Sequence, residues 1–294
     1  MKALALSLSL ALAVSYYNMT PEELAPLQTG SLRYENHSKS KWEERKSLQK
    51  YFREAGVKGS FLLYDLQKTD YLGYDLKRAK TPFIPASTYK IFNSLVALET
   101  GVVRDENEIL KWDGVKRKVP AWNQDQDMKS AIGNSTVWFY QELARRIGQE
   151  RMQHYLELAH YGNRDMSGGI DQFWLEGGLK ITPKEQIDFL VNLYRGELPF
   201  AQKTMNIVKE ILLNEKTDAY ILRAKTGWSQ AHLETPPAKR QIGWWVGYVE
   251  RGGNAYFFAL NIDIAKDEDA GARKTVAKNI LRELNIINDE KTPE

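Results

Sequence analysis

Ser87 and Lys90 stand three residues apart in Pro85-Ala86-Ser87-Thr88-Tyr89-Lys90. A serine hydroxyl becomes a nucleophile when a neighbouring base takes its proton, and a lysine one helical turn along is within reach without any histidine. Far downstream, Lys225-Thr226-Gly227 offers a cation, a hydroxyl donor and a strand edge without a side chain, along which an anionic acyl substrate can lie. The N–H of Trp228, next after the glycine, pairs with that of Ser87 as a two-donor oxyanion hole. Between the two motifs comes Ser135-Thr136-Val137, just ahead of a helical pattern. A hydroxyl placed there would relay the Ser87 proton to a departing amine, as a general acid does. Taken alone, the same residues read equally well as a helix cap. The chemistry these types and spacings imply is acyl transfer through a serine.

Ser-x-x-Lys by itself is weak evidence, because short motifs match by chance, and Ser38…Lys41 and Ser47…Lys50 match as well. Those two lie in a charged stretch that reads as the solvated face of an N-terminal helix. Ser87 differs in context. Pro82 and Pro85 disfavour helix for the residues before them, so the chain arrives extended. A helix then begins at Ser87, with Ile91, Leu95 and Leu98 spaced to line one face. Ser87 would thus sit where backbone N–H groups and the helix dipole favour negative charge, rather than act only as an N-cap.

The elements that must position these residues follow from hydrophobic period and breakers. Lys39 to Glu54 reads as a helix ended by Gly56. Residues 57–65 and 71–75 read as strands joined by a hairpin turn over 67–70. From about residue 87 to 214 the pattern is mostly helical, over 138–147, 150–158, 183–193 and 205–213, with Gly148, Gly162 and Gly196 as breaks. Strand patterns return over 219–224, 242–249 and 255–262, the last two apolar enough to be covered on both faces. A helix closes the chain over about 270–284. The expected class is α/β of the α+β type: one antiparallel sheet flanked by N- and C-terminal helices, with an inserted all-α lobe at about 87–214. Ser87 opens that lobe and Lys225 lies on the sheet, so the site is expected at their junction.

Composition narrows the function. The 41 basic and 38 acidic residues leave a charge of +3 with no basic stripe beyond the N-terminal segment, which argues against nucleic-acid binding. No cysteine is present, so disulfides, thiolate metal sites and a lipid-anchoring cysteine are excluded. Residues 1–15 have a positive start, a short apolar run and an Ala11-Leu12-Ala13 end, the form of a cleavable secretory leader. Residues 16–38 then read as a linker or loose lead-in, and 39–288 as a single catalytic domain. No segment is long and apolar enough to span a bilayer. An exported bacterial protein, periplasmic or secreted and without a membrane anchor, is expected.

Taken together, Ser87-Thr88-Tyr89-Lys90, Ser135-Thr136-Val137, Tyr161-Gly162-Asn163, Trp174-Leu175-Glu176-Gly177 and Lys225-Thr226-Gly227 resemble the class D β-lactamases, the oxacillinase type. Gly243-Trp244-Trp245-Val246-Gly247 and Ala272-Arg273-Lys274 fit the same pattern, so the resemblance runs from about residue 40 to 288. It implies the penicillin-recognising fold and hydrolysis of the β-lactam ring through a Ser87 acyl-enzyme, conferring antibiotic resistance. It implies that Lys90 is carbamylated by carbon dioxide and serves as base, with no other cofactor and no metal. A lysine amine is mostly protonated at neutral pH, and burial in apolar surroundings would free it to capture carbon dioxide. The resemblance places Val137, Leu175 and the Trp174 ring around that carbamate, and assigns Lys225, Thr226 and Arg273 to the substrate carboxylate, which suits a bidentate arginine. Without it, Arg273 reads as a solvated helix residue. The partner is a small-molecule β-lactam; the assembly is left open, a homodimer included, and so is the range of β-lactams. In this family the 228–243 connection, with His232, Pro236 and Pro237, influences that range.

Rival chemistries fit less well. A Ser-His-Asp hydrolase wants Gly-x-Ser-x-Gly, and Gly227-Trp228-Ser229-Gln230-Ala231 lacks the last glycine. His37, His154, His160 and His232 lie in polar or loop contexts with no zinc-binding spacing. The nearer alternatives share the fold: a penicillin-binding transpeptidase, or a β-lactam sensor domain that stays acylated. Sensors of that type are fused to membrane-spanning segments, and the transpeptidases commonly carry Asn where Val137 stands.

Overall fold

A computed structural model describes residues 40–229 and 241–288. The expected leader (1–15), most of the lead-in and the greater part of the 228–243 connection lie outside the described residues. Seven strands form one sheet: β1 (Trp42–Glu44), β2 (Gly59–Asp65), β3 (Asp70–Tyr74), β4 (Leu213–Lys216), β5 (Ile221–Ser229), β6 (Gln241–Arg251) and β7 (Asn254–Ile264). Their spatial order is β1-β3-β2-β7-β6-β5-β4. Eight α-helices accompany them among the described residues: α1 (Gln49–Glu54), α2 (Lys90–Glu99), α3 (Met128–Gly133), α4 (Val137–Ile147), α5 (Gln149–Leu158), α6 (Pro183–Arg195), α7 (Gln202–Ile211) and α8 (Ala272–Glu283).

The two long central strands show why the sheet is covered on both sides. In β6, Ile242, Trp244, Val246 and Tyr248 enter the core shared with the helical lobe, while Trp245 and Val249 enter the core shared with α1 and α8. In β7, Phe257 and Ala259 take the first side and Phe258, Leu260 and Ile262 the second. Two-residue alternation of large apolar side chains thus feeds both cores, and the pattern reads as continuous hydrophobicity. The β2–β3 hairpin forms as expected: Asp65 faces Asp70, and Asp65 Oδ1 accepts from the Gln67 and Lys68 amides at 3.1 Å to hold the turn.

The helical lobe follows its local signals. Thr182-Pro183-Lys184-Glu185 makes a capping box with proline at the first turn of α6, and Gly196 ends that helix in the left-handed region. Asp127 and Ser130 cap α3 in the same reciprocal way.

Two expectations are corrected. The helix read over Lys39–Glu54 forms only from a 3-10 turn at Lys46–Leu48 into α1. Trp42–Glu44 instead pairs parallel to β3, so the sheet is mixed at that edge and antiparallel elsewhere. Trp42 stacks on Tyr71 at 4.2 Å between ring centroids, and such a cross-strand aromatic contact outweighs the helix propensity of the charged residues around it. At the opposite edge, the helical pattern read to residue 213 stops at Ile211, and the short polar strand β4 follows.

Candidate active site

The chain reaches Ser87 through a strained turn. Ala86 has φ +49°, a left-handed conformation that costs a non-glycine residue on the order of 1–3 kcal/mol and persists only where surroundings enforce it. Its N–H donates to the Trp174 carbonyl at 3.0 Å, and the Pro85 carbonyl accepts from both the amide (3.2 Å) and the hydroxyl (2.7 Å) of Thr88. Ala86–Tyr89 form a 3-10 turn and the α-helix proper starts only at Lys90. Ser87 is not a cap. Its Oγ accepts from Lys90 Nζ at 2.6 Å, a contact the three-residue spacing of the motif allows within one turn.

Lys90 is fully buried and forms no ion pair among the described residues. Burial first, and the Lys225 charge second, push its amine well below the ordinary lysine range. The Tyr140 ring lies 5.5 Å from Nζ. A buried lysine with no anion beside it stays neutral because desolvation penalises only its charged form. The geometry therefore brings to the serine hydroxyl an amine whose charged form burial disfavours.

Lys225 stands on β5 and points to the helical side of the sheet. Its Nζ donates to Ser135 Oγ at 3.0 Å and to the Thr226 carbonyl at 3.1 Å. Burial, then the Arg273 and Lys274 charges, lower its pKa to about 7. Ser135 also has a left-handed backbone, φ +54°, while Thr136, at the cap position of α4, makes no side-chain cap and donates instead to Gln126 Oε1 at 2.8 Å. The cap reading of Ser135-Thr136 is thus replaced by one in which Ser135 turns toward Lys225. Val137 is the first residue of α4 and is half-buried.

Along β5, alternation puts Thr226 and Trp228 on the opposite face, toward α8. Arg273, at the start of α8, is half-buried there and not the solvated helix residue its local sequence suggests. Its guanidinium donates to the Gly227 carbonyl at 2.8 Å and to the Ala270 carbonyl at 2.6 Å, lies 5.6 Å from the Trp228 ring, and is lowered by burial to about 10. Trp228 Nε1 donates to Gln241 Oε1. Gly227 has a packing reason of its own: a Cβ would stand 3.0 Å from the Pro85 carbonyl and 3.1 Å from Thr88 Cγ2. The missing side chain lets β5 lie directly against the nucleophile turn, which brings the first and third motifs together.

Trp174 and Leu175 arrive on an irregular loop between α5 and α6. The Trp174 ring stacks on Tyr89 at 5.1 Å, and its buried Nε1 has no hydrogen-bond partner among the described residues. The half-buried Leu175 offers its carbonyl to the Ser229 hydroxyl at 3.0 Å. Asn163 ties the loop at its base: its side chain donates to the Gly178 carbonyl at 2.9 Å and accepts from the Lys180 amide at 2.8 Å.

Sequence reasoning passed over several of these residues. Ala86 carries no signal, because it acts through a backbone angle, and Ser229, read only as the centre of an imperfect Gly-x-Ser-x-Gly, acts instead through a single hydroxyl bond to Leu175. Gln186 did leave a trace: it is a polar residue on the buried stripe of α6 with Phe189, Leu190 and Leu193. His154 and His160 are exposed, as surface histidines are, while His37 and His232 lie outside the described residues.

Residues 39–282 match the model of the penicillin-binding protein transpeptidase domain. β-Lactamase OXA-48 of Klebsiella pneumoniae is 43% identical over 246 residues, which is 84% of this chain and 91% of that protein. β-Lactamase OXA-10 of Pseudomonas aeruginosa is 40% identical over 244 residues, 83% of this chain and 91% of its own. Among solved structures, the class D β-lactamase YbXI from Nostoc superposes with a TM-score of 0.78 at 48% identity, covering 83% of this chain and all of the other. FUS-1 (OXA-85) from Fusobacterium nucleatum subsp. polymorphum gives 0.79 at 38% identity, covering 84% and 100%.

Proposed function

The chain belongs to the class D serine β-lactamases, hydrolases of the β-lactam ring, and from that premise we propose that Ser87 is the residue acylated and that Lys90, carbamylated by carbon dioxide, is the base. The observation that carries the reading is Lys90 itself: fully buried, unpaired with any carboxylate among the described residues, and 2.6 Å from Ser87 Oγ. An ammonium cannot add to carbon dioxide, whereas an amine held neutral by burial can. The surroundings fit the group, since the buried Trp174 N–H next to the same turn is a donor without an acceptor. Buried donors are seldom left so without a reason. Trp174, Val137 and Leu175 would hold the carbamate, which supplies an anionic oxygen base where the amine alone is a weak one.

The remaining roles belong to the chain's own groups. Ser87 Oγ attacks the lactam carbonyl as its proton leaves toward Lys90. The N–H groups of Ser87 and Trp228 receive the developing oxyanion. Ser135 relays that proton to the ring nitrogen as the C–N bond breaks, giving its own proton and receiving the one Ser87 released, with Lys225 at 3.0 Å to hold the hydroxyl in place. Lys225, on the Ser87 side of the sheet, takes the substrate carboxylate; Thr226 and Arg273, which lie on the other face of β5 with Arg273 bonded to the Gly227 and Ala270 carbonyls, would join it only around the edge of that strand, the arginine with its remaining donors. Water then hydrolyses the ester at Ser87. The N-terminal leader would deliver the enzyme to the periplasm or the medium, where destroying the drug protects the cell.

The test is turnover of a chromogenic cephalosporin by the purified mature protein with and without added bicarbonate, beside a ¹³C spectrum of protein equilibrated with labelled bicarbonate. Turnover that rises with bicarbonate, and a carbamate resonance absent from Lys90→Ala, are expected. Turnover indifferent to bicarbonate with no such resonance would remove the carbamate from the reading. Acylation persisting in Ser87→Ala would remove Ser87. Expression in a susceptible bacterium should raise β-lactam tolerance, and deletion of residues 2–15 should abolish that protection.

A further inference from the structure

Beneath the nucleophile turn lies a buried polar group that the reaction scheme leaves unused. Thr88 and Gln186 are both fully buried, 98 residues apart in sequence, and Gln186 Nε2 donates to Thr88 Oγ1 at 2.7 Å. The Thr88 hydroxyl in turn donates to the Pro85 carbonyl at 2.7 Å. A hydroxyl has one proton, so a threonine that gives it to Pro85 must receive from its other partner, and only a donor suits that place. Gln186 is that donor. Its Oε1 meets no partner at hydrogen-bonding geometry among the described residues, and the Tyr161 hydroxyl packs beside both side chains.

What the network touches gives it a purpose. The Pro85 carbonyl and the Thr88 methyl are the two atoms of the turn that face Gly227. The turn is strained at Ala86, φ +49°, and would relax if released. On its other side it is held by the Ala86 N–H bond to Trp174. The spacing between the Ser87 N–H and the Trp228 N–H, one on each element, therefore passes through the Thr88–Pro85 contact. We infer that Gln186 is a positioning residue for the nucleophile: acting through Thr88, it locks the Pro85–Thr88 turn against β5 and so sets both the aim of Ser87 Oγ and the width of the oxyanion hole. The inference rests on Ser87 being the residue acylated.

The experiment is the rate of penicillin acylation, followed by mass spectrometry of the intact protein under single-turnover conditions, with melting temperature measured alongside. A misplacement of about 1 Å costs on the order of 100-fold in such a step. Thr88→Val, which keeps the shape and loses the hydroxyl, should slow acylation by roughly that factor, and Thr88→Ser should restore the rate to within about threefold of the parent. Gln186→Met should slow acylation about tenfold with the substrate dissociation constant little changed. Combined with Thr88→Val it should add nothing further, because both changes break one connection. Acylation at the parental rate in Thr88→Val, with only the melting temperature lowered, overturns the inference, as does a double variant whose losses multiply. Should Gln186→Met fail to fold, Gln186→Leu takes its place in the same single and double comparisons. Failure of the parent protein to acquire the adduct at Ser87 would instead overturn the proposed nucleophile, which keeps the two readings separable.

Discussion

Lys90 and Lys225 are both buried, both lowered in pKa and both within hydrogen-bond distance of a serine hydroxyl, yet their surroundings differ in kind. Lys90 sits among rings and helix backbone with Ser87 as the acceptor for its Nζ. Lys225 lies on a strand edge beside a backbone carbonyl, a second serine and the charge of Arg273. The first environment penalises charge and supplies nothing to offset it, so a neutral nitrogen results. The second gathers cations at a place where an anion would relieve them, and leaves its lysine balanced near neutrality at about 7. The residue type is the same, and the neighbours decide whether it suits the proton transfer or the anion recognition proposed for it.

The largest effect should separate the two. Lys90→Ala removes the proposed base, and general-base catalysis is worth roughly 10²–10⁴-fold, so on that proposal kcat/KM for a penicillin should fall by about 10³ with acylation and deacylation both slowed. Lys225→Ala removes a charge-assisted hydrogen bond worth about 1.5–3 kcal/mol, and should raise KM by on the order of 10- to 100-fold. Steady-state and single-turnover kinetics on the two variants test the division. Because Lys225 also holds the Ser135 hydroxyl, some loss in kcat should accompany the rise in KM, but a Lys225→Ala protein with unchanged KM would show that the proposed split of labour between the lysines is wrong.

How much of this was legible beforehand depends on where the information lies. Ser87, Lys90 and Lys225-Thr226-Gly227 declared themselves because covalent chemistry and anion binding need particular residue types at particular spacings. The central strands did so because Trp244, Trp245, Phe257 and Phe258 cannot be solvated together. β1 was missed because three residues whose pairing depends on Tyr71, 29 positions away from Trp42 in the register, carry no local signal. The Ala86 strain, the Gly227 contact with Pro85 and the Thr88–Gln186 bond all require knowing that the sheet meets the lobe at that turn. Charged residues misled at Arg273: its local context is a polar helix start, and only α8 packed over β5 shows it half-buried against Trp228.

A smaller effect should appear in pH profiles. In its proposed role protonated Lys225 would attract the substrate carboxylate, and its pKa is lowered to about 7 by burial and by Arg273 and Lys274. Below that value the charge is present; as pH rises through it the proton is lost and attraction weakens. KM for a penicillin should therefore rise above about pH 7, by no more than tenfold per unit. An arginine keeps its proton throughout, so Lys225→Arg should flatten the KM profile between about pH 6 and 9 whatever its absolute rate. A profile of identical shape in both proteins would take the titration away from Lys225.

The smallest effect concerns stability and reverses the sign of the first. Lys90 in the unfolded chain titrates near 10.4, whereas in the fold it is held well below that by burial and by Lys225. Between the two values the unfolded state binds the proton and the native state does not, so stability rises with pH across that window and is lost progressively as pH falls toward the folded pKa. At neutral pH the native protein thus carries a penalty for the residue on which its chemistry depends. Lys90→Met fills similar space without a titrating group. In buffer freed of carbon dioxide, where the parent carries the bare amine, it should be inactive and more stable at pH 7, by about 1–2 kcal/mol, which for a domain of this size is on the order of 2–8 °C in melting temperature. In the same buffer the gain should shrink as pH is raised toward 10, because the parent then loses nothing by deprotonating. A Lys90→Met protein less stable than the parent at pH 7 would mean that Lys90 is held charged after all, by an anion that the neutral-amine reading leaves no room for. The contrast between the two lysines would then fail at its root.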